Sequence, residues 1–100
     1  MVMRNNMRPI HPGEVLREEY LAPLGISPHA LAMQLRVTPS RINKIVRGER
    51  PVTIETALRL ARFFSTTPEF WMNLQQTYDL KTLPKPLLNA VKRDIKPLVA

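Results

Sequence analysis

Four polar side chains, Ser40, Asn43, Lys44 and Arg47, fall at i, i+3, i+4 and i+7 within PSRINKIVRG. On an α-helix that spacing puts them on one face. Their chemistry suits the edges of nucleic-acid bases. Asn can pair with adenine through two hydrogen bonds, Arg and Lys favour O6 and N7 of guanine, and Ser donates or accepts. No acidic residue interrupts the face. The interleaved Ile42, Ile45 and Val46 would point inward, and Gly48 supplies a C-terminal stop. Taken alone, the pattern also fits an ordinary bundle helix with a solvated basic side.

The preceding segment makes the difference. Ser27-Pro28 and Thr38-Pro39 each place a hydroxyl before a proline. The hydroxyl accepts an N–H of the first turn, and proline at the first helical position lacks only a donor that would be unpaired there. The run between them suits a helix of about two turns, with Leu31, Ala32 and Leu35 inward. Arg36 has to make the turn and Val37 plugs inward. Small Ala32 lets the two helices cross closely. Two short capped helices joined by a tight turn describe a helix-turn-helix, whose second helix lies in the DNA major groove.

Charge is distributed accordingly. The net charge of the 100-residue chain is +7, and residues 38–50 hold four basic groups against one acidic. Residues 81–100 hold five against one, whereas 11–37 and 51–80 each have one more acidic group than basic. A localised basic face releases counterions on meeting a polyanion, which fits DNA. Arg50, in the connector after Gly48, could hold a phosphate, a contact that positions without reading sequence. There is no cysteine, and His11 and His29 are far apart, so neither metal nor cofactor is expected. Both histidines read as surface or boundary residues. Without a Gly-rich phosphate loop, HExxH or paired carboxylates, an enzyme is not expected. No apolar run nears membrane-spanning length and no signal peptide is evident, so a cytoplasmic protein is expected.

The remaining chain supplies scaffold. Residues 1–10 read as a mobile, weakly basic arm. A first helix begins at Pro12-Gly13-Glu14, with Val15, Leu16, Tyr20 and Leu21 inward and Arg17, Glu18 and Glu19 toward water. Pro23 and Gly25 end it, and Leu24 and Ile26 are expected to fold back onto the core. After the second helix of the motif, Thr53 caps a helix whose stripe is Ile54, Ala57, Leu58, Ala61 and Phe64. Thr67-Pro68 starts a fifth, carrying Phe70, Trp71, Leu74 and Tyr78. These four either complete the core or share it with a dimer surface, where Trp and Tyr are enriched. Beyond Leu80 lies a basic tail, 81–100, in which Leu87, Leu88, Val91 and Ile95 could form a short helix.

HPGEVLREEYLAPLGIS, LAMQL, INKIVRGER, TALRLARFF and PEFWMNLQQTYDL, in this order and spacing, closely resemble the HigA antitoxins of type II toxin–antitoxin modules, within the lambda-repressor-like helix-turn-helix regulators. The resemblance spans about residues 11–80, the expected DNA-binding and dimerisation domain. It implies an all-α five-helix bundle, here with a short C-terminal extension. It also implies a homodimer on a palindromic double-stranded DNA operator, and a HigB-type mRNA-cleaving toxin that the antitoxin silences. By this resemblance the recognition-helix positions are Thr38, Pro39, Ser40, Asn43, Lys44 and Arg47, with Ser27 and His29 at a phosphate-contacting end. Base reading is expected of Ser40, Asn43, Lys44 and Arg47, and backbone contact of Ser27, His29, Thr38, Pro39, Arg41 and Arg50. Arg36 departs from the pattern, standing where this fold usually has Gly. A positive φ there would cost of order 1 kcal/mol. A repressor without a toxin partner, and a protein-interaction module that does not bind DNA, are the alternatives.

Overall fold

The computed structural model describes residues 8–99, which are helical with no strand. The first helix, α1, covers 12–24: α-helical turns at Pro12–Val15 and Ala22–Leu24 flank a π-helical stretch, Leu16–Leu21. The widened stretch precedes Pro23, whose ring would press on the carbonyl four residues back in a straight α-helix. Gly25, at φ 66°, ends α1. Then follow α2 (Pro28–Leu35), α3 (Pro39–Val46), α4 (Ile54–Phe64), α5 (Pro68–Lys81) and α6 (Lys85–Asp94). Six helices among the described residues replace the expected five, because the tail's apolar residues do form a helix of their own.

Four of these helices start as the hydroxyl signals require. Ser27 accepts from the Ala30 N–H, Thr38 from Arg41, Thr53 from Thr56 and Thr67 from Phe70. Helix α2 packs on α3 and α4, α4 on α5, and α1 against both α3 and α5. Leu16, Leu31, Ile42, Ile45, Leu60 and Trp71 are fully buried where these helices meet. Trp71 therefore belongs to the core and is corrected as an interface residue; its indole N–H donates to Thr66 Oγ1 at 2.8 Å. Leu74 and Tyr78 are half-buried, and Phe70 is the most exposed of the four.

Two expectations about the scaffold are corrected. Helix α4 buries Thr56, Ala57, Leu60 and Ala61, while Ile54 and Leu58 are 66% and 53% exposed. Glu55, Arg59 and Arg62 share one side of the helix, and the buried face lies opposite them, at the centre of a wide apolar arc of which Ile54 and Leu58 form one edge. Leu24 lies exposed, leaving Ile26 to pack on the core. The tail is long and open: no residue of α6 is buried, and the molecule measures 53 × 28 × 25 Å. The expected arm lies largely in residues 1–7, outside the described residues; Arg8 makes a bidentate ion pair with Glu14, both bonds 2.9 Å.

Candidate nucleic-acid interface

Each helix of the motif is too short to hold itself, since four N–H groups and four carbonyls at its ends lack helical partners. The hydroxyl caps serve the N-terminal ends. At the end of α2, Arg36 adopts φ 61° and ψ 43°, a left-handed conformation that a Gly would take without strain. Val37 N–H then reaches the Ala32 carbonyl at 3.1 Å. Helix α3 ends similarly: Gly48 takes φ 75°, its N–H donates to the Ile45 carbonyl at 2.9 Å, and Glu49 N–H donates to Lys44 at 2.8 Å.

Two arginines from neighbouring helices finish the C-terminal ends. Arg17 Nη1 donates to the Val46 carbonyl at 2.9 Å, and Arg59 Nη1 donates to the Leu35 carbonyl at 2.8 Å. A cation beside a helix C-terminus also meets the favourable end of its dipole. Arg17, expected to point to water, thus ties α1 to α3, and Arg59 ties α4 to α2. Neither role was assigned from sequence. The available signal was the need itself: short helices ending in orphan carbonyls need donors from elsewhere.

His11 is likewise corrected, from a surface residue to a buried one, 8% exposed. Its Nδ1 accepts the Gly13 N–H at 2.8 Å and caps α1, and its ring meets Tyr78 edge-on with centroids 4.9 Å apart. Burial pushes its pKa below the ordinary 6.5, against the opposing pull of Asp79 and of a backbone hydrogen bond with Arg50. The ring also lies beside Gly48, the residue that ends α3. At Gly13 a side chain would collide with the Ile45 carbonyl, so the absence of a Cβ lets α1 sit directly against α3. The connector after α3 is fastened from below: Gln75, buried, accepts the Val52 N–H at 2.7 Å and donates to Asp79 at 2.9 Å.

This clamping leaves one side of α3 open. Ile42 and Ile45 are fully buried and Val46 nearly so, while Ser40, Lys44 and Arg47 are exposed. Asn43 is half-buried, and one amide N–H donates back to the Pro39 carbonyl at 3.0 Å. An amide has a second N–H and an oxygen, which leaves Asn43 groups for a further partner. Ser27, His29, Thr38 and Arg50 are exposed around this face and Pro39 is half-buried. Arg41 turns toward α4, where its Nη1 lies 3.4 Å from Glu55. Glu55 also binds Arg59 at 2.9 Å, and these arginines hold its carboxyl below the ordinary range. Arg47 pairs with Glu49 at 3.2 Å. Among the described residues no group of His, Cys, Asp and Glu could hold a metal.

Two capped helices, a left-handed turn and an open basic face on the second helix define a helix-turn-helix protein. The helix-turn-helix family HTH_3 matches residues 16–71. Virulence-associated protein I of Dichelobacter nodosus is 59% identical over 78 residues, which cover 78% of this chain and 72% of that one. Antitoxin HigA-1 of Vibrio cholerae is 36% identical over 77 residues, 77% of this chain and 72% of that one. Among solved structures, Pseudomonas aeruginosa antitoxin HigA with higBA promoter superposes with a TM-score of 0.86 at 46% identity, covering 92% of this chain and all of that one. The chain belongs to the helix-turn-helix family, and within it to the HigA-type antitoxins.

Proposed function

We propose that this protein is an antitoxin and autorepressor. It binds, as a homodimer, a palindromic operator upstream of its own genes, and neutralises a HigB-type mRNA-cleaving toxin in the cytoplasm. The observation that carries this reading is the open face of α3, held by caps at both ends, in a chain so similar to an antitoxin solved with its promoter. Ser40, Asn43, Lys44 and Arg47 read base edges. Ser27, His29, Thr38, Pro39, Arg41 and Arg50 hold the backbone, with Arg41 exchanging Glu55 for phosphate. Phe70, with half-buried Leu74 and Tyr78 behind it, contributes to the dimer surface. In the dimer the two recognition helices meet successive major grooves about 34 Å apart. No helix among the described residues is long and apolar enough to cross a membrane.

The test replaces Asn43 with Ala and measures the DNA upstream of the gene and a scrambled duplex separately. A lost bidentate base contact should weaken the upstream site by about 1–3 kcal/mol and leave the scrambled duplex nearly unchanged. Equal losses on both would contradict base reading. Co-expression with the neighbouring gene product and a pull-down test the toxin partner.

A further inference from the structure

Ser27, Thr38 and Thr67 each cap a helix from the position before a proline. Helix α1 starts on the same plan, His11 before Pro12, but with an imidazole in place of the hydroxyl. A cap needs only one short acceptor, and Ser, Thr, Asp and Asn are favoured for it. Capping alone therefore does not account for a buried ring, which brings a second polar nitrogen that also needs a partner. That nitrogen reaches out of α1. Nδ1 accepts the Gly13 N–H at 2.8 Å, so the proton of the neutral ring sits on Nε2. The ring also hydrogen-bonds the backbone of Arg50, where a ring N–H can donate only to the carbonyl. Gly48 lies against one side of the ring, and Tyr78 meets it edge-on. The connector thus held, residues 47–53, forms no helix. Its far end is fixed by the Val52 N–H on Gln75 at 2.7 Å. The Arg50 side chain is exposed and, among the described residues, makes no ion pair, unlike Arg41 on Glu55 and Arg47 on Glu49.

We propose that His11 is a positioning residue for DNA binding: its Nε2 holds the Arg50 carbonyl, so that the connector is ordered before a phosphate meets the Arg50 guanidinium. This rests on the phosphate-holding role of Arg50 proposed above. A connector fixed in advance loses little further conformational freedom when the duplex arrives. Without the bond the phosphate contact still forms, but the connector must be ordered first. Affinity then falls on any sequence, because a phosphate contact carries no base information. The two ring nitrogens divide the work: Nδ1 stabilises α1, and Nε2 serves the DNA contact.

The experiment uses the full chain and separates the two nitrogens. In His11→Asn the amide oxygen stands in for Nδ1 and keeps the cap, but the side chain is too short to reach Arg50. In His11→Gln the amide N–H stands in for Nε2 and keeps the donor, while the cap is lost. Binding to the DNA upstream of the gene and to a scrambled duplex is titrated above pH 6.5, where the ring is neutral, and well below the lowest unfolding midpoint. His11→Asn should lower affinity for both DNAs by about threefold, less than Arg50→Ala does. His11→Gln should stay within about twofold of the wild type on both, although its unfolding midpoint falls further than that of His11→Asn. Affinity and stability thus rank the two variants in opposite order, which a purely structural role would not produce. In the Arg50→Ala background His11→Asn should cause no further loss. An undiminished affinity in His11→Asn, an equal loss in His11→Gln, or a loss that persists without the Arg50 side chain would each overturn the proposal. If Arg50→Ala itself leaves both affinities unchanged, the phosphate role of Arg50 fails and this proposal falls with it, an outcome separate from the three above.

Discussion

His11 shows how a side chain unremarkable in the sequence can hold a motif it does not belong to. Its Nδ1 must be unprotonated to accept the Gly13 N–H, so the folded protein prefers the neutral ring. Burial likewise disfavours the charged ring and pushes its pKa below the ordinary 6.5. Above 6.5 the ring is neutral in both folded and unfolded chains and the capping contribution is complete. As pH falls below 6.5 the unfolded chain takes up a proton that the folded one refuses, so stability drops until the folded pKa is reached. The loss cannot exceed about 1.4 kcal/mol per pH unit. Thermal unfolding at pH 7.5 and pH 5.5 should show this drop. In His11→Asn, where an amide oxygen can still cap but does not titrate, the difference between the two pH values should shrink. An undiminished difference in the variant would assign the pH dependence elsewhere. Glu55, held below its ordinary range by Arg59 and Arg41, is lost in the same direction but at a lower pH, as its carboxylate is protonated.

Helices α2 and α3 depend on neighbours for their ends, and the dependence can be measured. Arg59 donates to Leu35 from a part-buried position and holds Glu55 as well. Replacing it by Met keeps most of the stem but leaves the Leu35 carbonyl without its charged donor. A hydrogen bond to a charged group is worth about 1.5–3 kcal/mol, and partial exposure reduces this, so a loss of about 1–2 kcal/mol is expected. Urea unfolding measures it, and for a domain of this size the melting point should fall by roughly 4–16 °C. The same contrast between local and distant causes explains what the sequence disclosed. The caps at Ser27, Thr38, Thr53 and Thr67 were legible because the accepting hydroxyl and the donating N–H are three residues apart. The open face of α3 was legible because Ile42, Ile45 and Val46 leave no other side for it. The tight turn at Arg36 was legible from the shortness of the linker, but its left-handed φ was not, because an arginine gives no local signal for it. Arg17 on Val46 and Arg59 on Leu35 bridge 29 and 24 residues, and no local pattern encodes such a pairing. On helix α4 the expected stripe holds for Ala57, Ala61 and Phe64 but is off-centre: Leu60 lies opposite Glu55, Arg59 and Arg62 and is buried, whereas Ile54 and Leu58 lie at the edge of the apolar arc and are exposed. His11 was missed because its burial is made by Gly48 and Tyr78, neither of them near it in the chain.

Across the whole molecule, charge and symmetry together determine how DNA binding should respond to salt. The positive excess sits on α3, on the connector that follows it, in the tail and in the first ten residues of the sequence, while the scaffold segments between are nearly neutral. Arg50 stands in that connector, exposed, and Val52, two residues on, is anchored to Gln75. Its backbone is thus fixed while its side chain remains available to a phosphate at the groove edge. A contact of that kind carries no base information, so Arg50→Ala should weaken operator and scrambled DNA by the same factor. In a homodimer the substitution removes two phosphate contacts at once. The slope of log K against log salt should become shallower by about 1.8 on both DNAs, against about 0.9 if one subunit alone were engaged. Arg50→Ala therefore measures the number of subunits on the DNA as well as the role of the residue. Asn43→Ala should instead leave the slope unchanged and lower affinity for the operator alone, because its partner is a base edge and no counterion is released. A uniform loss from Asn43→Ala, or an operator-only loss from Arg50→Ala, would mean that the division between reading helix and positioning connector is drawn in the wrong place.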